Sequence, residues 1–347
     1  MQILNENNKR TKLLLLKNKV EKIEVKPGEE SKIYTELGNT SSSCIKCHFP
    51  KCMHFDESKI KCSKITEFPG DKDNKVCPVG ALIWNNDNER PEIDNKKCIR
   101  CGLCASQCPL GAIYFKENEF IINYKNDSNE YVETLVNEAS INKQMDIIKS
   151  LESIQKQGQL LNENDQIMEI IYDYIMDSKL IPEKFVRNIL IGLGCECAIR
   201  RIGDVYTRMD AIYMSSRGTF GAVEVEFGTD TLEASRGILD DISVLDSRYC
   251  IPKQENIALV VCLSLPNERQ GYWQVIKDIN NVLNIKVNTQ TLGSLLISLW
   301  NFLKIDLENN SYYADYDNFS IRKFLERDLG RDAMISDKFL GILEPIK

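Results

Sequence analysis

The sequence predicts a cysteine-rich α+β module, a helical connector, and an α/β domain whose mixed sheet is flanked by helices. Three observations predict this. Nine of the 13 cysteines lie between Cys44 and Cys108, in two sets that each end in Cys-Pro followed by the same apolar phrase. Apolar residues from Tyr131 to Ile154 recur at helical spacing. From Asn164 onward the pattern reads helix, three strands, helix, strand, helix, strand. The expected parts are an N-terminal extension over 1–43, the module over 44–118, the connector over 119–163 and the α/β domain over 164–347.

A chain of 347 residues suits two domains, and the cysteine-rich part uses only the first third. The net charge of −7 gives no global pull toward nucleic acid, so any such binding must come from a local basic surface. The two histidines, His48 and His54, both lie among the cysteines. That excludes a Ser–His triad, a histidine base or a histidine-ligated metal from the rest of the chain. The aliphatic run Leu13 to Leu16 is far too short to span a bilayer. Nothing near the start resembles a cleavable signal, so a cytoplasmic protein without a membrane partner is expected.

From Cys98 to Pro109 the chain reads C-x2-C-x2-C-x3-C-P. This spacing lets Cys98, Cys101 and Cys104 wrap one face of a [4Fe–4S] cubane. Cys108, before the fixed φ of Pro109, then points toward a second cluster. Upstream, Cys44, Cys47 and Cys52 supply three more thiolates, and Cys77-Pro78 supplies a fourth. The phrases Cys77-Pro-Val-Gly-Ala-Leu-Ile-Trp84 and Cys108-Pro-Leu-Gly-Ala-Ile-Tyr-Phe115 mark a duplicated unit. Disulfides would need an oxidising compartment. Zinc favours two separated C-x2-C pairs, often with histidine, and has no use for the Cys-Pro pattern. Two [4Fe–4S] clusters are therefore expected.

Over roughly residues 40–118 the chain resembles bacterial dicluster ferredoxins. Its first half is similar to the iron–sulfur subunits of molybdopterin oxidoreductases, which carry a proline inside a C-x2-C-x4-C run. The resemblance implies that Cys44, Cys47, Cys52 and Cys108 hold one cluster, and Cys98, Cys101, Cys104 and Cys77 the other. The chain departs from the family in a long polar insertion between Cys52 and Cys77. The insertion carries Cys62, which competes with Cys52 as a ligand; the local spacing favours Cys52. His48 and His54 read as spacers near a cluster, placed to hydrogen-bond a sulfide.

The elements follow in order. Residues 1–43 alternate charged and apolar side chains around Pro27-Gly28 and read as a strand-bearing extension. Asn126-Asp127-Ser128 opens the helical connector and Gly158 ends it. Ile167, Ile171 and Ile175 line one helix, and Pro182 opens another through Leu190. Strands are expected over Glu196–Ile202, Asp204–Met214 and Phe220–Phe227, with a turn at Ser215–Gly218. Asp230 caps a helix through Ile238, Leu239, Ile242 and Leu245. A strand over Ile257–Leu265 ends at Pro266. A helix over Tyr272–Leu283, a short strand over Ile285–Asn288 and a helix over Leu292–Phe302 follow. The tail from Asn309 shows no period and receives no assignment.

The second expected strand carries Asp210, and the third carries Glu224-Val225-Glu226. Side chains alternate along a strand, so Glu224 and Glu226 share one face while Val223, Val225 and Phe227 take the other. Carboxylates on an otherwise apolar strand are costly unless paired, solvated or holding a cation. With Asp210 beside them they form an oxygen site of the kind Mg²⁺ prefers. Over roughly residues 165–305 this arrangement resembles the PD-(D/E)XK, or restriction-endonuclease-like, superfamily. The resemblance implies that Asp210 and Glu224 ligate the metal and that Glu226 stands where the family usually has lysine, all three being catalytic. It also implies a nucleic-acid substrate, DNA more than RNA, and a homodimer that cuts two strands. Arg200, Arg201, Arg208 and Arg217 either meet phosphates or pair with Asp204 and Glu196. Glu233 and Arg236, three apart, pair with each other. Cys195, Cys197, Cys250 and Cys262 read as reduced and mostly buried.

Two functions stay open on the sequence. One is a Mg²⁺-dependent endonuclease fused to a dicluster module. The other is an electron-transfer ferredoxin whose C-terminal domain docks a redox partner without chemistry of its own. No G-x-G-x-x-G fingerprint supports a flavin or nucleotide site.

Overall fold

After each Cys-Pro the chain makes the same local structure. Gly80 and Gly111 take φ of 67° and 65°, a left-handed turn that glycine adopts without strain. Near the start, β1 (Thr11–Leu16) pairs antiparallel with β2 (Lys19–Glu24), so the expected strands of the extension are present. Each glycine turn leads into a hairpin. The first joins β3 (Leu82–Asn85) to β4 (Arg90–Ile93), and the second joins β5 (Ile113–Lys116) to β6 (Glu119–Ile122). The duplicated phrase is thus a duplicated fold. Between the hairpins lies α1 (Leu103–Gln107).

The computed structural model describes residues 11–16, 19–24, 44, 50–108, 111–116, 119–122, 164–204, 206–228, 231–267, 271–301, 303 and 321–342. The expected connector beyond residue 122, together with Cys47, His48, Pro109 and Asp230, lies outside the described residues. Among the described residues no helix is long and apolar enough to cross a membrane.

Contacts group the chain into two compact units that cut across the division at residue 118. One takes the described residues of 1–54 and 80–160; the other takes those of 55–79 and 161–347. The polar insertion after Cys52 therefore packs with the C-terminal part.

In that second unit α2 (Asp165–Met176) and α3 (Pro182–Gly192) precede a five-stranded sheet. Strands β7 (Glu196–Ile199), β8 (Ala211–Met214) and β9 (Phe220–Glu226) are antiparallel neighbours. Then β10 (Ile257–Cys262) and β11 (Lys286–Thr291) add in parallel, giving the order β11-β10-β9-β8-β7. The parallel steps are made through α4 (Thr231–Tyr249) and α5 (Tyr272–Leu283), since parallel neighbours need a long crossover. The sheet is mixed and helix-covered, as expected. At Gly221 in β9 a Cβ would stand 2.1 Å from the Ile257 carbonyl, so only glycine allows the strands to approach this closely.

Several expected boundaries differ; the strand from Ile257, for one, ends at Cys262. The second strand starts at Ala211, because Asp204 Oδ1 accepts the N–H groups of Tyr206 and Thr207 at 2.8 and 3.0 Å and turns the chain there. Asp210 thus sits just before the strand. The first strand ends at Ile199; Arg200 instead bridges to Gly70 of the insertion. Strand β11 runs to Thr291, whose hydroxyl caps α6 (Leu292–Trp300) in a reciprocal box with Ser294. The turn at Ser215–Gly218 forms as expected, with Ser215 Oγ accepting the Thr219 N–H at 3.1 Å. In the unassigned tail, α7 (Ile321–Leu329) and α8 (Asp337–Leu340) form.

Residues 55–79 cover the outer edge of β7. The Cys197 N–H donates to the Lys59 carbonyl, the Asp71 N–H to Ile199 and the Arg201 N–H to Pro69, each at 2.9 Å. An exposed strand edge needs such cover. The sheet thereby obtains it from a segment lying between two cysteine motifs.

Candidate functional site

The cysteines of the Cys98–Cys108 run are placed by tight local turns. Asp94 accepts the Cys98 N–H on its carbonyl at 3.0 Å, and its Oδ1 accepts the Lys96 N–H at 3.1 Å. Arg100 and Gly102 then take φ of 60° and 76°, folding the chain back so that Cys104 enters α1. The Cys108 N–H closes the helix onto Ala105 at 3.2 Å. Cys101 and Cys108 are buried; Cys98 and Cys104 are half-buried.

Across the repeat, Cys44 and Cys108 are neighbours. Burial first, and then the nearby Cys108 sulfur, push the Cys44 thiol up to about 12, with Arg90 working the other way. This is the pairing that the ferredoxin resemblance implies for one cluster. Cys52 is buried in the same unit. His54 is exposed.

Cys62 belongs to the other unit, where it is buried near Cys195 and Cys197. Its thiol is pushed up to about 12, chiefly by burial. Cys262 is also buried, as expected, whereas Cys250 is exposed at a positive φ of 55°. Beside Cys197 stands Arg187, fully buried. Its Nε donates to Asn188 Oδ1 at 3.0 Å and its Nη1 lies 3.8 Å from Asp71 Oδ1. Cys77 also lies in this unit, directly after two carbonyls held by Asn188.

The carboxylates converge at one end of β8 and β9. Ala211 pairs with Val223, so one register step further sets Asp210 opposite Glu224. The Val225 N–H donates to Asp210 Oδ2 at 3.0 Å, and Arg200 Nη2 lies 3.8 Å from Oδ1. Burial pushes the Asp210 carboxyl up to about 6, against the pull of that N–H. Glu224 turns toward α4, where Gly237 leaves it room: a Cβ there would stand 3.2 Å from Glu224 Oε1. Glu226 is half-buried, with Oε1 accepting the Gly228 N–H at 2.6 Å.

The structure adds one member to the cluster that the sequence pattern does not single out. Asp241 on α4 is 2% exposed and meets Glu224. Burial holds both carboxyls above the ordinary carboxylate range, with the nearby Asp210 raising both further. A signal for it exists in the helical period, because Asp241 falls on the stripe of Ala234, Ile238, Ile242 and Leu245 that faces the core.

Two of the four arginines face carboxylates other than the expected Asp204 and Glu196. Arg200 faces Asp210, Arg208 Nη1 lies 3.6 Å from Asp240 Oδ2, and Arg236 pairs with Glu233 as expected. Glu196 instead accepts the Ser63 N–H of the insertion at 2.9 Å.

The donor chemistry fits the groups expected. Buried, adjacent thiols are what iron requires, whereas the buried carboxylates are hard oxygen donors. Among the described residues no three His, Cys, Asp or Glu side chains converge on one point as a single-ion site. A cubane does not ask this of its thiolates, since each binds a separate iron.

Residues 91–114 match the model of the 4Fe-4S binding domain family. Over 82 residues the chain is 28% identical to the uncharacterized ferredoxin-like protein YdhY of Escherichia coli K12, covering 24% of this chain and 29% of that protein. Over 42 residues it is 43% identical to the uncharacterized ferredoxin MJ0155 of Methanocaldococcus jannaschii, covering 12% and 26%. The chain thus spans less than a third of each of these relatives. No solved structure matches. The N-terminal part is ferredoxin-like and binds a 4Fe-4S cluster.

Proposed function

We propose that this is a two-cluster [4Fe–4S] protein whose C-terminal unit is a divalent-cation-dependent nuclease. The observation that carries the second half is the placement of buried Asp210 and half-buried Glu224 opposite each other in the β8–β9 register. Two carboxylates side by side and largely withdrawn from water favour a cation between them. The order of three antiparallel strands followed by parallel crossovers supports a restriction-endonuclease-like reading. The neighbouring Cys44 and Cys108 support the crossed ligand sets, with Cys44, Cys47, Cys52 and Cys108 on one cluster and Cys77, Cys98, Cys101 and Cys104 on the other. The placement of Cys62 among Cys195 and Cys197 favours Cys52 as the ligand.

In this reading Asp210 and Glu224 would hold Mg²⁺, which would supply charge neutralisation at a phosphate and a more acidic water. The Val225 N–H fixes Asp210, and Gly237 gives the Glu224 carboxyl its place. Glu226 would take the proton released as water adds to phosphorus, and the leaving oxygen, as its bond to phosphorus breaks, would take a proton from solvent. DNA, more than RNA, is the substrate, and a homodimer would cut both strands.

Anoxically purified protein should carry about eight irons per chain. It should cleave nucleic acid with Mg²⁺ or Mn²⁺, and be silent with EDTA. Asp210→Ala and Glu224→Ala should each abolish cleavage. Glu226→Lys should retain or raise it. Absence of cleavage of single-stranded and duplex DNA and RNA at any redox poise, with no divalent ion bound, removes the nuclease reading.

A second reading is favoured by the ferredoxin likeness of residues 91–114. Two clusters suit electron transfer, and the C-terminal unit would then dock a redox partner. A reversible cluster couple without cleavage supports it.

A further inference from the structure

Residues 200–204 and 206–208 link β7 to β8 and end two residues before Asp210. On this link Ile202 is 83% exposed and Tyr206 78% exposed. The backbone that displays them is braced. The Arg201 N–H donates to the Pro69 carbonyl at 2.9 Å, and the Asp204 N–H to the Arg201 carbonyl at 3.0 Å. From α4, Arg248 Nη1 donates to the Tyr206 carbonyl at 2.9 Å, while the Asp204 carboxylate accepts the Tyr206 and Thr207 N–H groups. Thr207 and Met209 are buried, whereas Tyr206 and Arg208 are exposed, so ring and guanidinium share the outer side. An aromatic ring held open to water among arginines suits a nucleobase and its phosphates. We propose that this link grips single-stranded nucleic acid beside the carboxylates. Tyr206 stacks on an unpaired base, and Arg201, Arg208 and Arg248 meet the flanking phosphates.

Charge selects this occupant. Arg201, Arg208 and Arg248 are all exposed. Arg208 lies 3.6 Å from Asp240, a solvated surface contact that a phosphate displaces at little cost. Arg248 uses Nη1 for the Tyr206 carbonyl, and a guanidinium carries further N–H donors. An apolar protein partner would leave these cations without acceptors. The net charge of −7 gives the chain no general attraction for phosphate, so the contact is local. An unpaired base offers its face to the ring, and a duplex keeps its bases stacked inside. The Arg200 N–H donates to the Asp210 carbonyl at 3.2 Å and its Nη1 to the Arg208 carbonyl at 3.4 Å, which ties the grip to the carboxylate end of the sheet. On the nuclease reading, on which this use of the grip rests, a bound strand is laid past Asp210.

The test is fluorescence anisotropy with a labelled oligothymidine, the matching oligouridine and a duplex. Each is titrated with the full, cluster-loaded chain in EDTA at several salt concentrations. Wild type should bind the single strands more tightly than the duplex, and more weakly as salt rises. Tyr206→Ala should weaken single-strand binding at least about fivefold, whereas Tyr206→Trp, which keeps a stacking face, should bind as wild type. Arg201→Gln and Arg208→Gln should each lower the salt slope by about 0.7. These side chains are exposed, so the variants leave the core intact. No binding by wild type, or unchanged binding by Tyr206→Ala, overturns the grip. A loss in Tyr206→Ala that Tyr206→Trp does not restore overturns the stacking role. If Tyr206→Ala changes only the sedimentation of the protein alone, the surface is a protein contact and the grip is wrong. Binding in EDTA without cleavage in Mg²⁺ removes the nuclease reading and leaves the grip standing. Cleavage in Mg²⁺ with unchanged binding by Tyr206→Ala does the reverse.

Discussion

Asn188 on α3 gives its amide hydrogens to the carbonyls of Lys75 and Val76, both at 3.0 Å, and so grips the chain immediately before Cys77. One helical turn earlier, Lys184 Nζ lies 2.5 Å from Asp73 Oδ2. A helix of the C-terminal unit therefore sets the approach to a cysteine of the cluster motif.

Asn188→Ala should leave two carbonyls without their donor and destabilise the protein by about 1–3 kcal/mol. It should also lower iron content, because Cys77 loses its fixed approach. Thermal melting and an iron assay on one preparation check this. Unchanged iron would disconnect Asn188 from the cluster.

A fragment beginning at residue 119 should not unfold cooperatively. It lacks residues 55–79 and leaves the β7 edge uncovered, with the Cys197 and Arg201 N–H groups unpaired. Appending 55–79 through a glycine-serine linker should restore a sharp transition by circular dichroism. A cooperative melt of the bare fragment would show that the cover is dispensable.

Cys62→Ser should keep the wild-type iron content, whereas Cys52→Ser should lose about four irons, those of one cubane. The reverse result would move the ligand into the insertion.

Glu224→Gln should raise the metal-free melting temperature, by an amount equivalent to about 1 kcal/mol, while removing cation binding. The amide can donate to the unpartnered Asp241 Oδ2 at any pH, whereas the Glu224 carboxyl donates only while it holds a proton. A lower melting temperature in EDTA would mean that the carboxyl of Glu224 stabilises the fold by itself.

Much of the local architecture is legible in the chain because its causes are local. The Cys-Pro phrases specify ligand spacing and the left-handed turns at Gly80 and Gly111 within a few residues. Pro182 opening α3, the Ser215–Gly218 turn and the apolar run of β10 likewise carry their own signals. The start of β8 is not legible in this way. There the Asp204 side chain competes with strand pairing through bonds that a pattern of apolar residues does not register.

Sequence alone is enough to group the cysteines in two repeated sets, to find three strands and their crossover helices, and to single out Asp210, Glu224 and Glu226 on neighbouring strands. It took the folded chain to show that residues 55–79 cover β7, that Cys62 joins Cys195 and Cys197, and that Asp241 reaches Glu224. One physical cause is common to all three. Ligand spacing, turn chemistry and periodicity act over a few residues. Edge cover and buried charge are settled by whichever distant groups folding brings together, and desolvation makes those encounters strong.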